Sequence, residues 1–551
     1  MIFIGIVALY AALPAWAQTS PTEFNRVRTF DAEHYSIRTK VDQRRKSIDG
    51  ETVITLRPLA DGFRSLELDS EGLRYAGAEL LPDLTPLKFQ IAPGKVIVDL
   101  GRSFGAGDVV NVRLRYSSKP SKGVYFVDPR RDPRAVAKDP QVWTHNEPEL
   151  AHYWFPSYDF PDDKATSEQF ITVERGQTVI ANGELVSIAD SDGRFRTFHF
   201  RMTRPHSTYL ISFIVGRFEK ITADHNGIPL SFYYYPGHES TARKAFGPTA
   251  GMMAVFDEVT SIPYPFDKYD QTIVASFPFG GMENVTATTL LDRDVFLVEE
   301  RFGEQIVIDL VSHELAHSWF GNMVTCRNWA ELWLNEGFAT YMEAVYREKR
   351  FGKAEYLRKI LEDTDVYFAE YAKSKRKRGV FNQLARADDS IFDAITYEKA
   401  GVVIHMLRRM LGDEAFWRGI RTYLRRNAWK NVETADLRSA LEEASGRDLN
   451  KFFGQWIYGA RHPMLRYRDS YDPATKRYTL AIEQVQPADE LTPEAFEFPL
   501  VVDVPVRSGR VTKTLQIDRR LQEFTFDVPE KPGNPIFDPE KDIPLIQIRE
   551  K

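Results

Sequence analysis

The sequence predicts a multidomain α+β protein, and three observations carry that prediction. The chain has 551 residues, beyond the size at which one hydrophobic core stops growing. Its first third and its last segment alternate short β-rich runs with turns. Between them lies a long stretch with helical periodicity. With 43% hydrophobic residues, 27% charged residues and a formal net charge of −6, the composition is that of a globular protein. It carries no basic field to attract nucleic acid, so no nucleic-acid partner is expected.

Met1 to Ala17 is uncharged and mostly apolar, and it ends in Ala15-Trp16-Ala17, a small-x-small pattern suited to cleavage before Gln18. Residues 1–17 are therefore read as a signal peptide, with the protein periplasmic or secreted. Because it lacks the positive n-region of a signal peptide, the alternatives are a true start further upstream or an uncleaved membrane anchor. No later run is long enough to span a membrane. The single cysteine, Cys326, rules out an intrachain disulfide and reads as a small buried filler.

Residues 25–218 read as an all-β domain, with strands at Val53–Leu56, Val96–Leu100 and Val110–Leu114. Ser207 to Gly216 is expected as its closing buried strand. Residues 219–458 begin with a few strands and turn helical over Glu304–Ser318, Ala330–Arg350, Ala400–Leu411 and Thr434–Ala444. The basic run Lys373-Ser374-Lys375-Arg376-Lys377-Arg378 reads as a solvated helix end or loop. Residues 459–551 return to strands, such as Tyr478–Ile482 and Leu500–Val504, and suit a small β-sandwich.

The chemistry is concentrated at His313-Glu314-Leu315-Ala316-His317. Histidines at i and i+4 leave one helical face together and can grip a single Zn²⁺, with Glu314 facing the open side as general base. Glu336, in Trp333-Leu334-Asn335-Glu336-Gly337-Phe338-Ala339, can return a carboxylate from a second helix. Three protein ligands leave a fourth position for water, the coordination of a hydrolytic site. Glu343 lies seven residues after Glu336 on the same helical face, within reach of a ligand histidine's other N–H.

These segments, together with Gly280-Gly281-Met282-Glu283-Asn284 and Thr396-Tyr397-Glu398-Lys399-Ala400-Gly401, resemble the gluzincin aminopeptidases of the M1 family from about residue 25 onwards. The resemblance implies a saddle-shaped N-terminal sheet domain, a thermolysin-like catalytic domain and one zinc per chain on His313, His317 and Glu336. It also implies a substrate groove along Gly280, Gly281, Met282, Glu283 and Asn284, where Glu283 pairs with the free α-ammonium of a peptide. Tyr397 would stabilise the oxyanion, and Glu147, in Thr144-His145-Asn146-Glu147, would supply a second contact to the amine. His145 stands where the family commonly has Gln. Larger members continue into a helical C-terminal domain that caps the active site, so this short form is expected to have a more open one. The activity so implied is zinc-dependent hydrolysis of the N-terminal bond of peptides. The alternatives are an epoxide hydrolase resembling leukotriene A4 hydrolase and a non-catalytic peptide-binding scaffold.

Overall fold

A computed structural model describes residues 24–131, 135–191, 193–374 and 376–550. The expected signal peptide, 1–17, lies outside them. The N-terminal region is built on an eight-stranded sheet in the order Glu184–Ser191, Phe195–His206, Ala165–Glu174, Phe30–Asp42, Ser47–Pro58, Val110–Ser118, Leu73–Leu81, Thr85–Pro86. Its strands alternate buried and part-exposed positions, as in Ala165–Glu174, the pattern of a sheet with one face on a core. A second sheet of four short strands includes Gln141–Thr144 and Phe213–Gly216, and its Gln141–Thr144 strand leads into His145 and Glu147.

The expected strand Ser207–Gly216 is only half a strand. Thr208–Leu210 form a 3₁₀ turn and pairing begins at Phe213. Polar partners bend the chain there: Ser207 Oγ donates to Pro161 O at 2.9 Å, Thr208 Oγ1 to Asp159 Oδ1 at 3.0 Å, and Asn182 Nδ2 to Leu210 O at 2.9 Å. Side-chain bonds of this kind compete with ladder bonds.

The middle region opens with a five-stranded sheet in the order Glu219–His225, Ile228–Tyr234, Tyr269–Val274, Ala287–Leu291, Gly281–Met282. Its helices are α1 (Glu239–Phe246), α2 (Thr249–Thr260), α3 (Asp292–Phe296), α4 (Glu304–Ala316), α5 (Trp333–Phe351), α6 (Lys353–Ser374), α7 (Ala400–Leu411), α8 (Asp413–Asn427), α9 (Thr434–Ser445) and α10 (Asn450–Phe453). Helix α4 buries Val307, Ile308, Val311 and Leu315 at helical spacing. Helix α5 runs through the core, buried from Trp333 to Arg347. A Cβ on Gly337 would lie 2.5 Å from Ala400 Cβ, so the glycine is what lets α5 meet the start of α7. That contact brings the segment carrying Tyr397 up to Glu336.

The C-terminal region has one sheet of four strands and one of three, with Leu480, Ile482, Leu500, Val502 and Val504 buried. Among the described residues, no sheet takes strands from both sides of residue 218 or of residue 459. Nor is any described helix long and apolar enough to cross a membrane.

Candidate active site

Helix α4 supplies His313 and Glu314, and His317 caps its end, with its N–H donating to His313 O at 3.3 Å. Helix α5 supplies Glu336. Glu336 Oε2 lies 3.2 Å from His313 Nε2 and 3.3 Å from His317 Nε2, and the three ligand atoms all fall within 4.8 Å of one another. Each imidazole is held from behind. His313 Nδ1 donates to Glu343 Oε1 at 2.8 Å, and His317 Nδ1 to Phe320 O at 2.9 Å. Both bonds fix the tautomer whose Nε2 lone pair points inward, the arrangement expected around a metal ion. Glu343 is braced in turn by Lys359, 2.8 Å from its Oε2 and 2.6 Å from Asp363. Burial alone would raise the carboxyl of Glu336, but the facing imidazoles of His317 and His313 outweigh it and bring it down to about 2.

Two further carboxylates converge from outside α4 and α5. Ligand atoms of Glu147, Glu283 and Glu336 lie within 4.8 Å of one another. Glu147 Oε1 and Glu283 Oε1 are buried with no hydrogen-bond partner. Burial first, and then neighbouring carboxylates, push both groups above their ordinary range. Unpaired buried acceptors are costly.

Gly281 and Met282 form the short edge strand, paired with Leu290 and Thr289. A Cβ on Gly281 would stand 2.1 Å from Glu314 Oε1, so glycine is required for the carboxylate of Glu314 to lie against this backbone. Glu314 Oε2 is buried and unpartnered, and burial pushes its carboxyl up to about 8. Gly280, Gly281, Met282 and Glu283 line one cavity of about 540 Å³ together with Glu147, His313, Glu314, His317, Glu336 and Tyr397. Asn284 does not line it. Its Nδ2 donates to Thr289 Oγ1 at 3.1 Å, behind the edge strand. Ile306 and Val366 also line the cavity and are 54% and 47% exposed, so its mouth reaches solvent.

Tyr397 sits in a π-helical turn, Ile395–Lys399, with its ring 6.0 Å from that of His313 and tilted 16° to it. Burial, then the charges of Glu336 and Glu147, push its phenol well above the ordinary value, so it keeps its proton and remains a donor. His145 is buried between Phe277 and Phe279, with ring centroids at 5.4 and 5.2 Å. Burial lowers its pKa to about 4, which favours the neutral imidazole near neutral pH.

Several contributors carry no sequence signal of their own. Lys164 Nζ donates to Asn322 O at 3.1 Å and Met323 O at 2.9 Å, and Asn322 Nδ2 donates to Glu283 O at 2.9 Å. The N-terminal region thereby holds the loop after α4, and that loop holds Glu283. Cys326 is buried, in a two-residue strand paired with Asn431–Val432, as a filler.

Two family descriptions match this chain: "Peptidase family M1 domain" over residues 244–456 and "Peptidase M1 N-terminal domain" over residues 31–210. The chain belongs to peptidase family M1. Members bind one zinc, and the nitrogen and oxygen donors of His313, His317 and Glu336 suit that ion. Aminopeptidase N of Streptomyces lividans is 32% identical over 380 residues, 66% of this chain and 42% of that protein. The puromycin-sensitive aminopeptidase of Caenorhabditis elegans is 27% identical over 539 residues, 92% of this chain and 55% of that one. The chain spans about half the length of the curated relatives it matches. In three dimensions it is similar to Legionella pneumophila aminopeptidase A, solved in complex with aspartic acid, with a TM-score of 0.80 at 19% identity over 96% of this chain and 60% of that one. That likeness supports the multidomain α+β fold.

Proposed function

We propose that this protein is a zinc aminopeptidase that removes single residues from peptides with a free N-terminus. The observation that carries the reading is the pair of buried carboxylates, Glu147 and Glu283, each with one oxygen that accepts no hydrogen bond, set beside the His313–His317–Glu336 donor set. A free α-ammonium satisfies both acceptors, whereas an internal amide leaves them buried and unpaired.

A zinc ion on His313, His317 and Glu336 would supply a Lewis acid that brings the pKa of a water towards about 7. Glu147 and Glu283 bind the substrate amine and so place the first peptide bond against the donor set. Glu314, pressed on Gly281, is the general base that takes the proton of the attacking water and delivers it to the leaving amine; burial holds its carboxyl high in the metal-free chain, and the charge of a zinc ion would bring it back down. The Tyr397 hydroxyl donates to the oxygen on which negative charge develops. Glu343 and the Phe320 carbonyl keep both imidazoles aimed inward. Asn284 supports the groove from behind its edge strand. This reading keeps the division into residues 25–218, 219–458 and 459–551, supported by sheets that do not cross those boundaries.

Amino-acid p-nitroanilides are expected to be hydrolysed while their N-acetyl counterparts are refused by about 10⁴–10⁵, the penalty for leaving buried polar groups unpaired. Comparable cleavage of both series would defeat the assignment of Glu147 and Glu283. Inactivity on both, with zinc bound, would turn attention to epoxide substrates or to a scaffold role. We also propose export, supported by the apolar segment Met1–Ala17 and its Ala15-Trp16-Ala17 ending. N-terminal sequencing of protein recovered outside the cytoplasm is expected to begin at Gln18, and a form retaining Met1 in the membrane fraction would make the segment an anchor.

A further inference from the structure

Most of the described run Lys373–Arg378 is the expected solvated helix end and loop, with Lys373, Ser374, Arg376 and Lys377 exposed, but its last member is not. Arg378 is 3% exposed, and its guanidinium binds the Asp393 carboxylate, Thr396 Oγ1 at 2.7 Å and the Gly379 carbonyl at 2.8 Å. Arg376, with 44% of its side chain exposed, donates to the other Asp393 oxygen at 2.6 Å. Asp393 is thus gripped from both sides by arginines that sequence alone places on a loop.

What Asp393 does with that grip bears on the site. Its Oδ1 accepts the N–H groups of Ile395 at 3.0 Å and Thr396 at 3.2 Å, and its carbonyl accepts the N–H of Tyr397 at 3.2 Å. It therefore caps the π-helical turn that carries Tyr397. That turn is closed by the Lys399 N–H donating to Ala394 O at 2.8 Å, one residue wider than an α-turn, and such turns recur at functional sites. Helix α6 adds Glu370, whose carboxylate accepts the Ala394 N–H at 3.1 Å. A planar fork suits Arg378 because its donors reach four acceptors, the Gly379 and Val380 carbonyls, Asp393 and Thr396, in fixed directions.

We propose that Arg378, seconded by Arg376, is a positioning residue that sets the Tyr397 hydroxyl at the reaction centre by clamping Asp393 and the turn it caps. The proposal rests on the reading of Tyr397 as oxyanion donor, and a double-mutant cycle separates the two. Arg378→Met and Arg376→Met are each made alone and with Tyr397→Phe. For each variant, kcat and KM on an amino-acid p-nitroanilide, zinc content and thermal midpoint are measured.

Tyr397→Phe is expected to lower kcat by about 10²–10³. Arg378→Met should lower it by about 10–100-fold, the effect of a misplaced catalytic group, with KM and zinc content nearly unchanged. Arg376→Met should have the smaller effect in the same direction. On the Tyr397→Phe background either arginine change should cost less than about twofold more, because the hydroxyl it positions is already gone. An equal cost on both backgrounds would overturn the clamp while leaving Tyr397 in its role. Full activity in Tyr397→Phe would overturn both. Should Arg378→Met fail to fold, the cycle with Arg376→Met, whose side chain is half in solvent, decides by the same criterion.

Discussion

Glu314→Gln is expected to lower kcat by about 10²–10⁴, the range contributed by a positioned general base, while leaving one zinc per chain. The carboxylate of Glu314 is packed against Gly281, where a Cβ would stand 2.1 Å from its Oε1, and its Oε2 has no protein partner. Glutamine fills the same space and keeps the edge strand in place, but it cannot accept the proton of a water. Substrate binding should change little, because the amine is met by Glu147 and Glu283. A loss carried by kcat with KM nearly constant is the signature of an interaction made in the transition state. A glutamine variant retaining more than about a tenth of the wild-type rate would fall outside that range and remove Glu314 from the base role.

The parts of this fold and site that were legible in sequence are those set by local spacing. The i, i+4 histidines, the same-face relation of Glu336 and Glu343, and helix Ala400–Leu411 all follow from a 3.6-residue period. The structure places Glu343 Oε1 2.8 Å from His313 Nδ1 and starts and ends α7 at the expected residues. Glu147 and Tyr397 were reachable only through resemblance, since nothing in their local pattern marks one glutamate or tyrosine among many. Contacts between elements distant in sequence were not legible. Arg378 reads as one more charge in a basic run until Asp393 is brought beside it. Lys164 is an ordinary surface residue in sequence until the loop after α4 packs on it. The charge state of His145 is likewise a tertiary property, set by burial between two phenylalanines. The Ser207–Gly216 segment shows the same limit in the backbone, where an apolar run that looks like one strand is bent by polar partners at Pro161, Asp159 and Asn182.

Glu336→Ala is expected to abolish activity by a different route, through loss of the metal. Among the described residues, Glu336 is the carboxylate that lies against both inward imidazole nitrogens, at 3.2 and 3.3 Å, so its removal leaves two nitrogen donors where the site needs three ligands. Losing a partner behind a ligand already costs about 10–100-fold in metal affinity, and loss of a ligand itself should cost more. Folding should survive, because alanine is the best helix former. The decisive readouts do not need activity. Zinc bound after equilibrium dialysis should fall well below one per chain, and the rise in thermal midpoint on adding zinc, which follows from binding to the native state alone, should largely vanish. Glu314→Gln should retain both. Stoichiometric zinc in Glu336→Ala would mean that the ion is held elsewhere. Glu147 and Glu283, which share the 4.8 Å cluster with Glu336, would then have to be ligands and not readers of the substrate amine.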